Sequence, residues 1–123
     1  MPLIFVYGSL KRGFSAEGRL DGSFQFEAST EPTYRMYDYG GFPGVVEVKE
    51  GGYAIKGEVW EISEACLPLL DQYEAVDEGL YVRATVKLAE PYQHMREVIM
   101  YLYARDVSQL QDVGGVWKRD WDQ

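Results

Sequence analysis

This sequence predicts an α+β fold in which most of the chain is strand and the strands curl towards a small barrel. Three observations carry that expectation. Thirteen glycines in 123 residues point to many turns and tight corners. The strand candidate at residues 53–62 places Tyr53, Ile55, Gly57 and Val59 on one face, and Trp60 and Ile62 on the other. Such a switch, with a glycine in mid-strand, marks a bulge or a coiled corner, and strands bent this way close small barrels. Only residues 63–73 carry a clear helical pattern, with Cys66, Leu70 and Tyr73 at i, i+4 and i+7.

The elements follow in order. Residues 3–7 are an unbroken apolar run that Gly8 stops. A run of this kind reads as a buried strand ending in a tight turn. The turn can aim several backbone N–H groups at one point, and Gly8 lets a ligand come close. Two known readings of the stretch fail. Gly8 and Gly13 have the spacing of a phosphate loop, but Phe14 and Ser15 stand where Lys-Ser/Thr is required. Gly8-Ser9 lacks the second glycine of a G-x-S-x-G elbow. Residues 11–31 read as irregular or partly helical, with a turn at 19–22.

Residues 33–39 alternate Tyr34, Met36 and Asp38 against Arg35, Tyr37 and Tyr39, as a strand does. Residues 40–44, Gly-Gly-Phe-Pro-Gly, read as a loop, and Val45, Val46 and Val48 as a short strand before a hairpin turn at 50–52. In the helix, Ser63 is the expected cap and Glu64 suits the positive end. Pro68 then falls past the tolerated first turn, so the helix starts later or opens with a tight turn. Residues 80–88 alternate Leu80, Val82, Ala84, Val86 and Leu88 against Tyr81, Arg83, Thr85 and Lys87. Residues 98–103 are apolar on both faces, as in a central strand. Trp117 and Trp121 suggest a tail that packs back on the body.

Composition narrows the function. The length suits a single domain spanning residues 1–123. A formal net charge of −8 speaks against nucleic acid or an anionic membrane as partner. No apolar stretch approaches the roughly 18 residues of a membrane span. Residues 1–3 lack the basic start of a signal peptide, and with Cys66 as the single cysteine a reducing, cytoplasmic setting is expected. One cysteine and one histidine, His94, are too few for the usual zinc site, and His94 reads as part of a loop. Acid–base work then falls to carboxylates, tyrosines or backbone groups.

Four stretches carry a resemblance. Phe5-Val6-Tyr7-Gly8-Ser9-Leu10-Lys11-Arg12-Gly13 resembles the opening signature of the γ-glutamylcyclotransferase-like proteins, the group that includes the AIG2-like and γ-glutamylamine cyclotransferases. Leu70-Asp71-Gln72-Tyr73-Glu74, followed by Gly79-Leu80-Tyr81-Val82-Arg83, resembles the second signature. Glu58-Val59-Trp60-Glu61-Ile62 resembles the strand before the helix, and Val113-Gly114-Gly115-Val116-Trp117 the C-terminal Gly-Trp element. One departure is Ala75, where a glycine often follows the glutamate.

The resemblance implies a small, closed or nearly closed mixed β-barrel with flanking helices and a cavity at one end. It implies that Glu74 is the acid–base residue and that Tyr7, Gly8, Ser9 and Leu10 form the substrate-binding turn. The reaction it implies turns a γ-glutamyl amine or γ-glutamyl amino acid into 5-oxoproline and a free amine. The substrate's own α-amine attacks its γ-carbonyl, so the expectation includes no cofactor and no metal. Its partner is a small γ-glutamyl substrate, and the protein is expected to be a monomer or weak homodimer. Glu74 lies near the negative end of the helix dipole and near Asp71, Asp77 and Glu78, which should favour its protonated form. Tyr81 and Tyr101 are candidates for hydroxyl contacts to substrate. Lys11 and Arg12 could attract a carboxylate, although solvated loop charges are the simpler reading. Two other classes stay open: a non-catalytic module that binds a γ-glutamyl metabolite, and an interaction protein using its tyrosine-rich surface.

Overall fold

A computed structural model describes residues 1–14 and 16–118. Among the described residues, eight strands make two sheets, accompanied by one α-helix and short 3-10 turns at Glu17–Arg19 and Val76–Glu78. The larger sheet holds β1 (Leu3–Val6), β2 (Gly22–Ser29), β5 (Lys56–Ile62), β6 (Tyr81–Thr85) and β7 (Val98–Tyr103) in the order β2-β5-β1-β7-β6. It is mixed, because β1 pairs in parallel with β7 while the other pairs are antiparallel. The smaller sheet holds β3 (Tyr34–Tyr39), β4 (Phe42–Glu47) and β8 (Gln111–Asp112), with β3 in the middle.

The two ends of the larger sheet come together. Thr30, just after β2, bridges Leu88, just after β6. The Glu31 N–H donates to the Lys87 carbonyl at 2.8 Å, and the Ala89 N–H to the Ser29 carbonyl at 2.9 Å. The barrel is therefore nearly closed. Thr30 is fully buried there, and its hydroxyl accepts from the Ile55 N–H and donates to the Glu31 carbonyl. Both of its hydrogen-bonding roles are met, as burial of a hydroxyl requires.

Alternation along β1 explains its unbroken apolar run. Leu3, Phe5 and Tyr7 point into the barrel with Met36, Ile55, Val59 and Met100. Ile4 and Val6 point outward under the helix α1 (Cys66–Tyr73), with Ile62, Cys66 and Leu70. A strand covered on both faces keeps no polar face, and β7 sits centrally for the same reason.

Several expectations need correction. Within residues 11–31 lies a full strand, β2. The β2–β5 register shifts between Phe24 and Phe26, so Gln25 is a bulge. The bulge lets Phe24 pack outside and Phe26 inside, opposite Trp60 and Val59. It also breaks the period of two by which a strand is read. Gly57 is no bulge: a Cβ there would lie 2.4 Å from the Val6 carbonyl and 2.6 Å from the Phe5 ring, so it is a point of close strand approach. Strand β5 begins at Lys56, and Tyr53 instead bridges Tyr34.

The loop at 40–44 shrinks to the turn Gly40-Gly41, both at positive φ, and Pro43 and Gly44 belong to β4. An edge strand tolerates proline, since half its N–H groups face away from the ladder. Residues 50–52 do not close a hairpin, because β4 and β5 lie in different sheets. Ser63 does not cap α1. It reaches Asp21 instead, and i→i+3 hydrogen bonds from Cys66 and Leu67 open the helix. Pro68 then falls in the first turn, where its missing N–H costs nothing. In β6, Tyr81 is buried and Val82 is 48% exposed, the reverse of the expected face; burial returns to Val86 and Leu88 past the strand's end. Trp117 is buried in the barrel core as expected, while Trp121 lies outside the described residues.

Candidate active site

At the end of β1 the chain turns sharply through Gly8, Ser9 and Leu10, with the Lys11 N–H donating to the Gly8 carbonyl at 3.0 Å. The Ala16 N–H ties to the Ser9 carbonyl at 2.8 Å. Gly8 does not have positive φ. A Cβ at this position would meet Pro43 Cγ at 2.5 Å, so the glycine is required by packing against β4.

Beside this turn the helix α1 ends at Glu74. The next residue, Ala75, is left-handed at φ 53° and ψ 44°, a conformation that costs an alanine about 1 kcal/mol or more. Its carbonyl accepts from the N–H groups of Glu78 and Leu80, and Gly79 is left-handed as well. The corner is thus closed on itself, and it turns Glu74 towards the Gly8 turn. Strain held at such a place is common at functional sites.

Turn, helix end and strands enclose a cavity of about 230 Å³. Tyr7, Gly8, Ser9, Leu10, Tyr81 and Tyr101 all line it, and so does Glu74. The expected acid–base residue, the residues of the expected substrate-binding turn and the two candidate tyrosines are therefore brought together. Glu74 is the one charged side chain among the described lining residues, and its carboxyl is pushed up from 4.5 to about 7 by burial. Burial is the cause, not the charges of Asp71, Asp77 and Glu78 expected from the sequence. Asp77 and Glu78 are exposed, and Asp71 is engaged by Arg83 at 3.0 Å and by the Tyr101 hydroxyl at 2.7 Å.

The tyrosines are held by hydrogen bonds. Tyr7 donates to the Tyr101 carbonyl at 2.7 Å, and Tyr81 to the Pro43 carbonyl at 2.5 Å. All three hydroxyls titrate above their ordinary range, through burial first and with the Glu74 charge adding. They are neutral at any physiological pH.

The sequence reading missed Tyr39, Phe42, Pro43 and Tyr73, which line the cavity together with Phe5, Val6 and Leu80. Tyr73 had a visible signal, since it precedes Glu74 at the helix end; Arg19 caps its ring at 4.0 Å, and its hydroxyl lies 3.5 Å from Ser9 Oγ. Lys11 and Arg12 turn away from this cavity. Lys11 donates to the Trp117 carbonyl at 2.9 Å, and Arg12 pairs with the buried Glu58 at 3.2 Å. Both line a second, more open concavity with Glu27, Glu90 and Tyr92. His94 is exposed on a loop. Among the described residues no His/Cys/Asp/Glu group could hold a metal, and no helix is long and apolar enough to cross a membrane.

The family model for "Gamma-glutamyl cyclotransferase, AIG2-like" matches residues 4–123. A Vibrio cholerae relative whose name describes a gamma-glutamylcyclotransferase is 43% identical over 77 residues, which span 60% of this chain and 63% of that protein. The chain thus covers less than two thirds of that relative. The Escherichia coli gamma-glutamylcyclotransferase family protein YtfP is 34% identical over 120 residues, 93% of this chain and 94% of YtfP. Among solved structures, the uropathogenic E. coli protein c4763 superposes with a TM-score of 0.80 at 26% identity, covering 95% of this chain and 92% of c4763.

Proposed function

Starting from the chain's membership of the Gamma-glutamyl cyclotransferase, AIG2-like family, we propose that it converts a γ-glutamyl amine or γ-glutamyl amino acid into 5-oxoproline and the free amine. The observation that carries this reading is a single carboxyl, Glu74, pushed to about 7 by burial in an aromatic cavity beside a tight backbone turn.

The chemistry asks for little more. An α-ammonium must lose a proton before its nitrogen can attack. The Glu74 carboxylate accepts it, and a group titrating near 7 is well matched to that task at neutral pH. The nitrogen then bonds to the γ-carbonyl carbon and closes a five-membered ring. Amine and carbonyl are already tethered, so the protein mainly orients them. Negative charge builds on the former carbonyl oxygen, and the backbone N–H groups of Gly8, Ser9 and Leu10 are the donors we assign to it. The ring nitrogen still carries one hydrogen too many, and the bond to the leaving nitrogen breaks as protonated Glu74 returns its proton there. The freed carboxylate then takes the ring nitrogen's extra proton and passes it to the departing amine, which leaves as an ammonium. Atoms balance with no water consumed.

A panel of γ-glutamyl compounds assayed for 5-oxoproline tests the reading. Glu74→Gln keeps size and polarity but cannot carry a proton, so turnover should fall about a hundredfold or more while the fold is retained. A substrate with an N-acetylated α-amine should not turn over even if it binds. Release of the amine from the acetylated compound at the normal rate would make water the nucleophile and the protein a hydrolase. Binding of γ-glutamyl compounds without any 5-oxoproline would instead identify a non-catalytic module.

A further inference from the structure

Two residues of the second signature, Asp71 and Arg83, have no part in the chemistry above. Both act on Tyr101. The Tyr101 hydroxyl donates to Asp71 Oδ1 at 2.7 Å, and Arg83 Nη2 holds Asp71 Oδ2 at 3.0 Å. Arg83 thereby fixes the carboxylate, and the carboxylate fixes the hydroxyl. A tyrosine has one O–H proton and two lone pairs. Once the proton is given to Asp71, the oxygen can only accept. The same holds for the other two cavity tyrosines, whose protons go to the carbonyls of Tyr101 and Pro43.

These tyrosines therefore cannot donate to a developing oxyanion or to a substrate carboxylate. They form, with Glu74, a set of acceptors in a wall whose other polar side chains are the neutral hydroxyls of Ser9, Tyr39 and Tyr73. The complementary ligand group is a cation rich in N–H donors. We propose that Asp71, braced by Arg83, is a positioning residue that locks Tyr101 as an acceptor, and that the tyrosines take the substrate's α-ammonium. The inference rests on the cyclotransferase reading and adds a polarity to it: the ammonium lies on the tyrosine side, and the γ-carbonyl oxygen lies towards the Gly8 turn. A neutral acceptor set also suits the step that follows. It can hold the ammonium and then the neutral amine, without the charge that would keep the proton from leaving for Glu74.

The test compares two probes that differ in one group, N5-methylglutamine and glutaric acid monomethylamide, which lacks the α-amine. Kd for each is measured by calorimetry in the Glu74→Gln protein, and again with Tyr101→Phe, Asp71→Val or Asp71→Asn added. Tyr101→Phe should weaken the amine-bearing probe about tenfold and leave the des-amino probe unchanged, because a hydrogen bond to a charged group is lost. Asp71→Val should do the same, since its freed tyrosine proton can point into the cavity. Asp71→Asn keeps an acceptor for that proton and should restore most of the affinity. Equal weakening of both probes would reduce Tyr101 to packing and overturn the inference. Greater loss of the des-amino probe would show that Tyr101 donates, with the same consequence. If the parent protein binds neither probe and wild type releases no 5-oxoproline from the panel, the cyclotransferase reading itself falls, and the inference falls with it.

Discussion

Removing the Glu74 charge should make the protein more stable at high pH, and by an amount the structure sets. The carboxyl titrates near 4.5 in an unfolded chain and at about 7 in the fold. At about 1.4 kcal/mol per pH unit, the difference amounts to about 3 kcal/mol. Part of the residue's surface still meets solvent, so about 1–2 kcal/mol is the range to expect. The sign follows from proton binding. Below pH 4.5 Glu74 is protonated folded or unfolded, and nothing is lost. Between 4.5 and 7 the unfolded chain releases a proton that the folded chain keeps, so stability falls as pH rises. Above 7 the whole penalty is present. Glu74→Gln removes it, so urea unfolding at pH 5 and pH 8 should show the variant gaining on wild type by about 1–2 kcal/mol between the two. Every other titrating group is shared and cancels. A gain that is the same at both pH values would refute the claim that burial holds the carboxyl up. A variant that loses ground as pH rises would mean that the ionised form has a cationic partner.

Three further outcomes follow from the same geometry. The kcat/KM profile of wild type should rise with an apparent pKa of about 7 as Glu74 becomes the base, a limb that a profile flat from pH 5 to 8 would deny. Gly8→Ala should push Pro43 and β4 outward, costing about 1–3 kcal/mol and abolishing binding of a substrate analogue; normal binding would make the turn merely structural. Ala75→Gly relieves the left-handed corner and should raise Tm by a few degrees, the gain from strain exceeding the added chain entropy; a lower Tm would show that the Ala75 methyl packs more than it strains.

Much of the site was legible because it lies in short local signals. The apolar run at β1, the glycine that ends it and the helix that ends at Glu74 can all be read from neighbouring residues. What escaped depends on distant partners. The cause of the raised Glu74 carboxyl is one case: local charges were visible, but apart from Tyr73 the lining tyrosines come from the turn after β1 and from β3, β6 and β7. The polarity of Tyr101 is another, since it depends on Asp71, thirty residues away. Strand β2 was hidden by its bulge, and the inward turn of Tyr81 by an alternation that puts Val82 on one face with Val86 and Leu88.

The position of β1 in the sheet has a consequence for assembly. Its two neighbours are β5, from residues 56–62, and β7, from residues 98–103. A strand at one end of the sequence is therefore stitched between partners from the middle and from near the other end. Closing such loops is slow, because the entropy is lost before the contacts form. A fragment ending before Val98 would leave one edge of β1 bare and would lack Tyr101 altogether. The cavity therefore has no half-built version. Its lining is assembled only once the sequence up to β7 is available to fold.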